Sequence, residues 1–143
     1  MLPIFQTKTR TKAYRAPTKA QPLTGGARVL AAFQNSFAGF RDIYAREEAF
    51  RQEFALFLVG IPVSFLIGTS AAHVIAMILS ILILLIVEIL NSAIETAIDR
   101  IGPEIHELSR IAKDLGSLSV LLASLIPLTV WGYCFADWAG WID

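Results

Sequence analysis

The sequence predicts an all-α integral membrane protein with three transmembrane helices and a surface helix ahead of them. Three observations predict it. Apolar residues make up 55 % of the 143-residue chain and mean hydropathy is +0.60, too apolar for an ordinary soluble domain. No Asp, Glu, Lys or Arg occurs from Phe54 to Val87, a run longer than the roughly 20 residues that cross a bilayer core. A second run without those residues extends from Ser117 to Ala136. The length suits one domain.

Residues 1–26 read as a basic, flexible tail that carries Lys8, Arg10, Lys12, Arg15 and Lys19 and no acid. The tail lacks the apolar core followed by small residues that a cleaved signal peptide carries, so none is expected. Such a tail either touches anionic headgroups or serves solubility. The membrane domain is then 27–143. Over residues 27–50, Val29, Phe33, Phe37, Phe40 and Tyr44 recur at helical steps and form one apolar stripe, flanked by Arg28, Arg41, Arg46, Glu47, Glu48 and Arg51. This pattern predicts an amphipathic helix in the membrane interface.

The long apolar run breaks at Ile67–His73, which divides it into spans at about 54–69 and 74–98. Gly60 and Pro62 predict a kink or tilt in the first. His73 reads as a polar tip at the water boundary. Gly102 and Pro103 end the second span, with a new helix beginning near Pro103. The third span covers about 117–138, with a kink expected at Pro127. Trp131, Trp138 and Trp141 at its far end fit an interfacial belt. Cys134, the single cysteine, reads as a small hydrophobe within that helix. Every Lys and Arg lies before Phe54 or between Asp99 and Leu115. Three spans put both basic regions on one side, so the positive-inside rule predicts a cytoplasmic N-terminus.

The chemistry concentrates in "IVEILNSAIETAID", Ile86 to Asp99. At about 100° per residue, Glu88, Asn91, Glu95 and Asp99 fall within an arc of roughly 80°. Ser92 and Thr96 sit at its margin, and the remaining residues are Ile, Leu, Val and Ala. Ionisable groups in a span face a bundle interior or water and are functional candidates by default. Four readings fit such a stripe: a buried structural network, a proton or ion pathway, a Mg²⁺ site of carboxylate and amide oxygens, and a general base. The surroundings favour chemistry on an interfacial substrate. Glu104, His106, Arg110, Lys113 and Asp114 follow the stripe, and Arg28, Glu47 and Arg51 precede the first span, a mix of charges suited to a phosphate–Mg²⁺ substrate. An ion pathway would need to continue across the third span, which has no Asp, Glu, Lys or Arg there. "LTGGARV" lacks the Walker pattern, and "HELSR" has Arg110 where a zinc protease needs histidine.

The stretches "EEAFRQE" (Glu47 to Glu53), "VEILNSAIETAIDRIG" (Val87 to Gly102) and "HELSRIAKDLGS" (His106 to Ser117) closely resemble the prokaryotic diacylglycerol kinase family, small integral-membrane lipid kinases. The resemblance runs from about Arg28 to the last span. It implies a homotrimeric bundle in the bacterial inner membrane, with ATP and a diacylglycerol lipid as partners, Mg²⁺ as cofactor and no nucleic acid. It implies transfer of the ATP γ-phosphate to the primary hydroxyl of diacylglycerol, giving phosphatidic acid. The rivals are a related kinase for undecaprenol or another lipid alcohol and, in a different class, a non-enzymatic protein with a proton-relay stripe. By motif, the resemblance makes Glu88 the general base and Glu47 and Glu95 the Mg²⁺ ligands. It places Arg28, Glu47, Glu95, Glu104, His106, Lys113 and Asp114 at ATP. It places Ser36, Arg51, Gln52, Glu88, Asn91 and Ser117 at the lipid substrate. Glu48 adds an acid beside Glu47, and register favours Glu47 for the metal. Asn35 and Ile105 stand where enterobacterial relatives tend to carry an aromatic. Asp99 is left between a site role and a helix-end or salt-bridge role.

Overall fold

The structure, a computed structural model, describes residues 24–102, 104 and 106–142. The tail expected over 1–26 lies outside the described residues up to Leu23, as do Pro103 and Ile105. Four helices follow one another: α1 (Gly25–Arg46), α2 (Glu48–Ile67), α3 (Ala71–Ile101) and α4 (Glu107–Trp138). Among the described residues there is no strand. The last three helices are each long and apolar enough to cross a membrane. The fold divides after Asn35. Residues 24–35 are the first turns of α1, with Val29, Leu30 and Phe33 exposed; the helical body begins at Ser36.

The helix boundaries differ from those expected in two places. The surface helix stops at Arg46 rather than near residue 50, and α2 starts at Glu48 rather than near residue 54. Polar residues 48–53 thus belong to the spanning helix. Glu47 makes the break, with extended backbone (φ −99°, ψ 116°) and no side-chain capping bond. The turn is held by Arg51, whose Nη1 donates to the Tyr44 carbonyl at 3.1 Å. Rings from both sides close on it: Phe40 packs edge-on against Phe50 and Phe54 with centroids 5.8 and 5.1 Å apart. Such pairs each contribute about 0.5–1.5 kcal/mol beyond the area they bury. Periodicity within either helix gives no sign of this closure, because Phe40 belongs to α1 and Phe50 and Phe54 to α2.

The second difference lies at α4. The helix expected to begin near Pro103 starts at Glu107 and runs unbroken through the span expected from 117; His106 caps it, its Nδ1 accepting the Leu108 N–H at 3.2 Å. The polar segment 107–116 is therefore helical. Both prolines lie inside continuous helices, Pro62 in α2 and Pro127, buried, in α4.

α3 packs against both α2 and α4, while α2 and α4 scarcely meet. Its buried residues are Met77, Ser80, Ile81, Leu84, Leu85, Glu88 and Ser92. Steps of three and four put them on one face. Gly60 of α2 lets this seam close. A Cβ there would lie 2.8 Å from Ile81 Cδ1 and 3.2 Å from the Trp131 ring. Trp131 Nε1 donates across the seam to the Met77 carbonyl at 3.1 Å. Cys134 is buried in α4, as expected of a small hydrophobe.

The turn between α2 and α3 is tied to the end of α4. Ser70 caps α3 by accepting the His73 N–H at 3.2 Å. Thr69 Oγ1 donates to Asp137 Oδ2 at 2.6 Å and lies 2.8 Å from His73 Nδ1. A hydroxyl has one hydrogen, and here it goes to Asp137. His73 Nδ1 must then donate to Thr69, which fixes the proton-bearing nitrogen. His73 is half-buried and linked to α4, more than a free polar tip at the water boundary. Asp137→Ala removes the acceptor of this chain, and we expect it to lower stability by about 1 kcal/mol, read as a lower midpoint in thermal unfolding of the purified protein in detergent.

Candidate active site

Glu88 carries the site. It lies on the buried face of α3 with 4 % of its surface exposed. Among the described residues it has no salt-bridge partner. A carboxylate in that position is costly unless it serves a function. Glu47, Glu53 and Glu95 all lie close enough for their charges to act on it. The α1–α2 break, α2 and α3 thus each bring a carboxylate within charge range of Glu88, without the four converging on one point.

An open cavity of about 830 Å³ lies between α1 and α3. Phe40, Ile43, Phe50, Ile89 and Ala93 make its apolar side; Ser36, Arg46, Glu47, Ser92 and Thr96 supply polar groups. It thus has an apolar wall for a lipid and a polar edge for a charged group. Two expected site residues, Ser36 and Glu47, line it. Because Glu47 caps nothing, its carboxylate is uncommitted.

Three buried side-chain atoms in this region lack a hydrogen-bond partner: Glu53 Oε2, Asn91 Oδ1 and Ser92 Oγ. Orphaned buried polar atoms cost about 1–3 kcal/mol each, so three among the described residues at one end of a bundle make that end a candidate site. Asn91 faces α4, where Gly116 gives it room: a Cβ at Gly116 would collide with Asn91 Oδ1.

The remaining expected residues fall into two groups. Glu104 and His106 line a second cavity of about 540 Å³ with Ile98, Ile101, Gly102, Leu108 and Ser109. Nearby, Lys113 Nζ pairs with Asp99 Oδ1 at 2.6 Å, which gives Asp99 the salt-bridge role. Asp114 pairs with Arg110 at 2.6 Å. Of the expected residues only Ser36, Glu47, Glu104 and His106 line either cavity; Glu88, Asn91, Glu95, Lys113, Asp114, Arg28, Arg51, Gln52 and Ser117 line neither. Arg51 is engaged with Tyr44, Gln52 donates to Glu48 at 3.2 Å, and Ser117 is exposed on α4. Arg28 is exposed on the first turns of α1.

Sequence reasoning gave no site role to Glu53, Ser92 or Gly116. Glu53 had a signal: it is the last charge before the apolar run. Ser92 lay at the margin of the polar arc. Gly116 had none, since only the packing of α4 on α3 reveals what a side chain there would meet.

Oxygen donors of this kind suit Mg²⁺, which binds through one or two carboxylates together with substrate phosphates. Among the described residues no three His, Cys, Asp or Glu side chains converge as ligands.

Fold and site together define a helical membrane protein with a largely apolar cleft between a surface helix and its central span, and a buried carboxylate on that span. Comparison with known proteins gives the family. The sequence pattern of prokaryotic diacylglycerol kinase matches residues 34–135. The diacylglycerol kinase of Haemophilus influenzae is 43 % identical over 109 residues, 76 % of this chain and 92 % of that protein. The Escherichia coli K12 protein of that name is 40 % identical over 120 residues, 84 % and 97 %. The one from Pseudomonas aeruginosa is 44 % identical over 116 residues, 81 % and 93 %. The chain belongs to the prokaryotic diacylglycerol kinase family, and it is a bacterial membrane protein.

Gly116→Ala should force Asn91 out of place and cost about 1–3 kcal/mol by overpacking. Thermal unfolding in detergent checks this, and adding Asn91→Ala should restore most of the loss, because the shorter side chain leaves room for the methyl.

Proposed function

We propose that the chain transfers the γ-phosphate of ATP to the primary hydroxyl of diacylglycerol, giving phosphatidic acid. Membership of the family supports the reaction, and one observation carries the site: the buried, unpaired Glu88 among further carboxylates beside a lipid-sized cleft.

In this reading Glu88 takes the proton of the lipid hydroxyl. The hydroxyl oxygen forms a bond to Pγ, the bond from Pγ to the bridging oxygen breaks, and ADP leaves with that electron pair. Glu47 and Glu95 would hold Mg²⁺, which when bound neutralises phosphate charge. Glu95 lies seven residues from Glu88, about 10.5 Å along the axis, so hydroxyl and metal ends are separated by room for a phosphoryl group. Glu104, His106, Lys113, Asp114 and Arg28 would attend the nucleotide, and Ser36, Arg51, Gln52, Asn91 and Ser117 the lipid. Phosphoryl transfer depends mainly on such positioning and charge neutralisation.

The charge distribution supports a cytoplasmic site in the inner membrane, since both basic regions lie at the end of the spans that carries Glu88 and Glu95. The many exposed apolar residues of α3 and α4, among them Ile83, Ile86, Leu90 and Leu122, suit lipid and further copies of the chain in a homotrimer.

Purified protein in lipid with MgATP and diacylglycerol should form phosphatidic acid, measured by transfer of labelled phosphate. Glu88→Gln should lower turnover by about 10²–10⁴-fold, with MgATP binding within twofold of the parent by titration; near-normal turnover would sink the base assignment. Glu95→Gln should weaken Mg²⁺-dependent nucleotide binding about tenfold or more, and equal binding with and without Mg²⁺ in the parent would remove Glu95 from the metal.

A further inference from the structure

Ser92 departs from the other two buried hydroxyls of the spans, Ser64 and Ser80, and from several of the more exposed ones. A serine or threonine within a helix commonly donates to a carbonyl three or four residues back. Ser64 does so to Ile61 at 2.7 Å and Ser80 to Met77 at 2.7 Å. Thr96 donates to Ser92 at 2.8 Å, Ser119 to Gly116 at 2.6 Å, Ser124 to Leu121 at 2.7 Å and Thr129 to Leu125 at 2.7 Å. Ser92 is 7 % exposed, and its Oγ has no partner among the described residues. It also lines the cleft between α1 and α3, beside Glu47.

The position along α3 narrows what Ser92 serves. It lies four residues past Glu88 and three before Glu95, about 6 and 4.5 Å along the axis. In the function proposed above, the lipid hydroxyl is at Glu88 and the metal-bound phosphates are at Glu95 and Glu47. The group that passes between them is the phosphoryl in transfer, whose equatorial oxygens accept hydrogen bonds and whose charge redistributes as it moves.

We propose that Ser92 is a catalytic residue whose Oγ–H donates to an oxygen of the migrating phosphoryl group. This rests on the assignment of Glu88 and Glu95 above. The hydroxyl keeps its hydrogen throughout, so the balance of the reaction is unchanged. A donor fixed where charge develops stabilises the transition state more than either ground state.

The test is Ser92→Ala in the full chain, reconstituted in lipid with MgATP and diacylglycerol. The lost oxygen has no protein partner, so the thermal midpoint should be unchanged or slightly raised. We expect kcat to fall by about a hundredfold, with KM for MgATP and for diacylglycerol each within twofold. Inhibition by MgADP with aluminium fluoride in the presence of the lipid, a mimic of the transferring group, should weaken by a similar factor, while MgADP alone binds as before. Ser92→Cys, of similar volume but a weak donor, should show the same kcat loss and serves if the alanine variant folds poorly.

A change in kcat below threefold overturns the proposal. So does a loss that appears only as a higher KM for diacylglycerol and vanishes with an ether-linked dialkylglycerol, because Ser92 then holds a lipid ester. Glu88→Gln, run alongside, separates the levels. If it abolishes turnover while Ser92→Ala does not, only the Ser92 assignment falls. If Glu88→Gln remains active, the base assignment itself falls.

Discussion

Lipid offers no hydrogen bond, so a helix that carries carboxylates through a membrane must turn them toward protein. The buried face of α3 meets this constraint, and the other features follow from it. Met77, Ile81, Leu84 and Leu85 fill the seam at one end; Glu88 and Ser92 continue the same face at the other. Packing and chemistry therefore share one helical register. Rotating α3 enough to expose Glu88 would also empty the apolar half of the seam. The penalty for a carboxylate at the centre of a span, about 2.5–3.5 kcal/mol on insertion scales, thus holds the helix in the register that packs best.

The two ends of the seam treat polar atoms differently. At the far end every notable polar group is matched: Thr69 with Asp137 and His73, Ser70 with the His73 amide, Trp131 with the Met77 carbonyl. At the Glu88 end, Glu53 Oε2, Asn91 Oδ1 and Ser92 Oγ stay unmatched. A bundle can sustain such a deficit only if it is stabilised elsewhere, and the latched turn, Trp131 and the close approach at Gly60 supply that at the opposite end. The division of labour is physical: rigidity at one membrane face, unsatisfied donors and acceptors at the other.

Much of this was legible in the sequence, for identifiable reasons. A charge-free run longer than one span, broken at Ile67–His73, gave two helices, and the second run gave the third. The polar arc from Glu88 to Asp99 followed from helical geometry alone, and the structure buries Glu88 on the central helix. What remained hidden depends on contacts between distant segments. The start of α2 at Glu48 needs the Arg51–Tyr44 bond and the Phe40, Phe50 and Phe54 rings, so residues 48–53 looked like the end of a surface helix. A helix start near Pro103 was legible; that it runs unbroken into the third span was not, and its cap is a histidine where Ser, Thr, Asp and Asn are the usual signals. Glu53 and Gly116 are ordinary residues in one dimension and acquire meaning only from Glu88 and Asn91 across a gap.

Asp99 shows how the polar arc and α4 work together. It is the last carboxylate of the arc, and it pairs with Lys113, which also lies within charge range of Glu95. Both side chains are well exposed, and exposed ion pairs contribute little to stability. The pair matters for placement instead. It holds a cation from α4 against α3 at the end of the carboxylate row, without committing it through strong bonds. The Lys113 ammonium thus stays within charge range of Glu95 with a single solvated partner. Asp114 and Arg110, one turn apart on α4, form a similarly exposed pair next to it. The carboxylates of α3 and the exposed cations of α4 thus meet at one end of the bundle, joined by the Asp99–Lys113 pair.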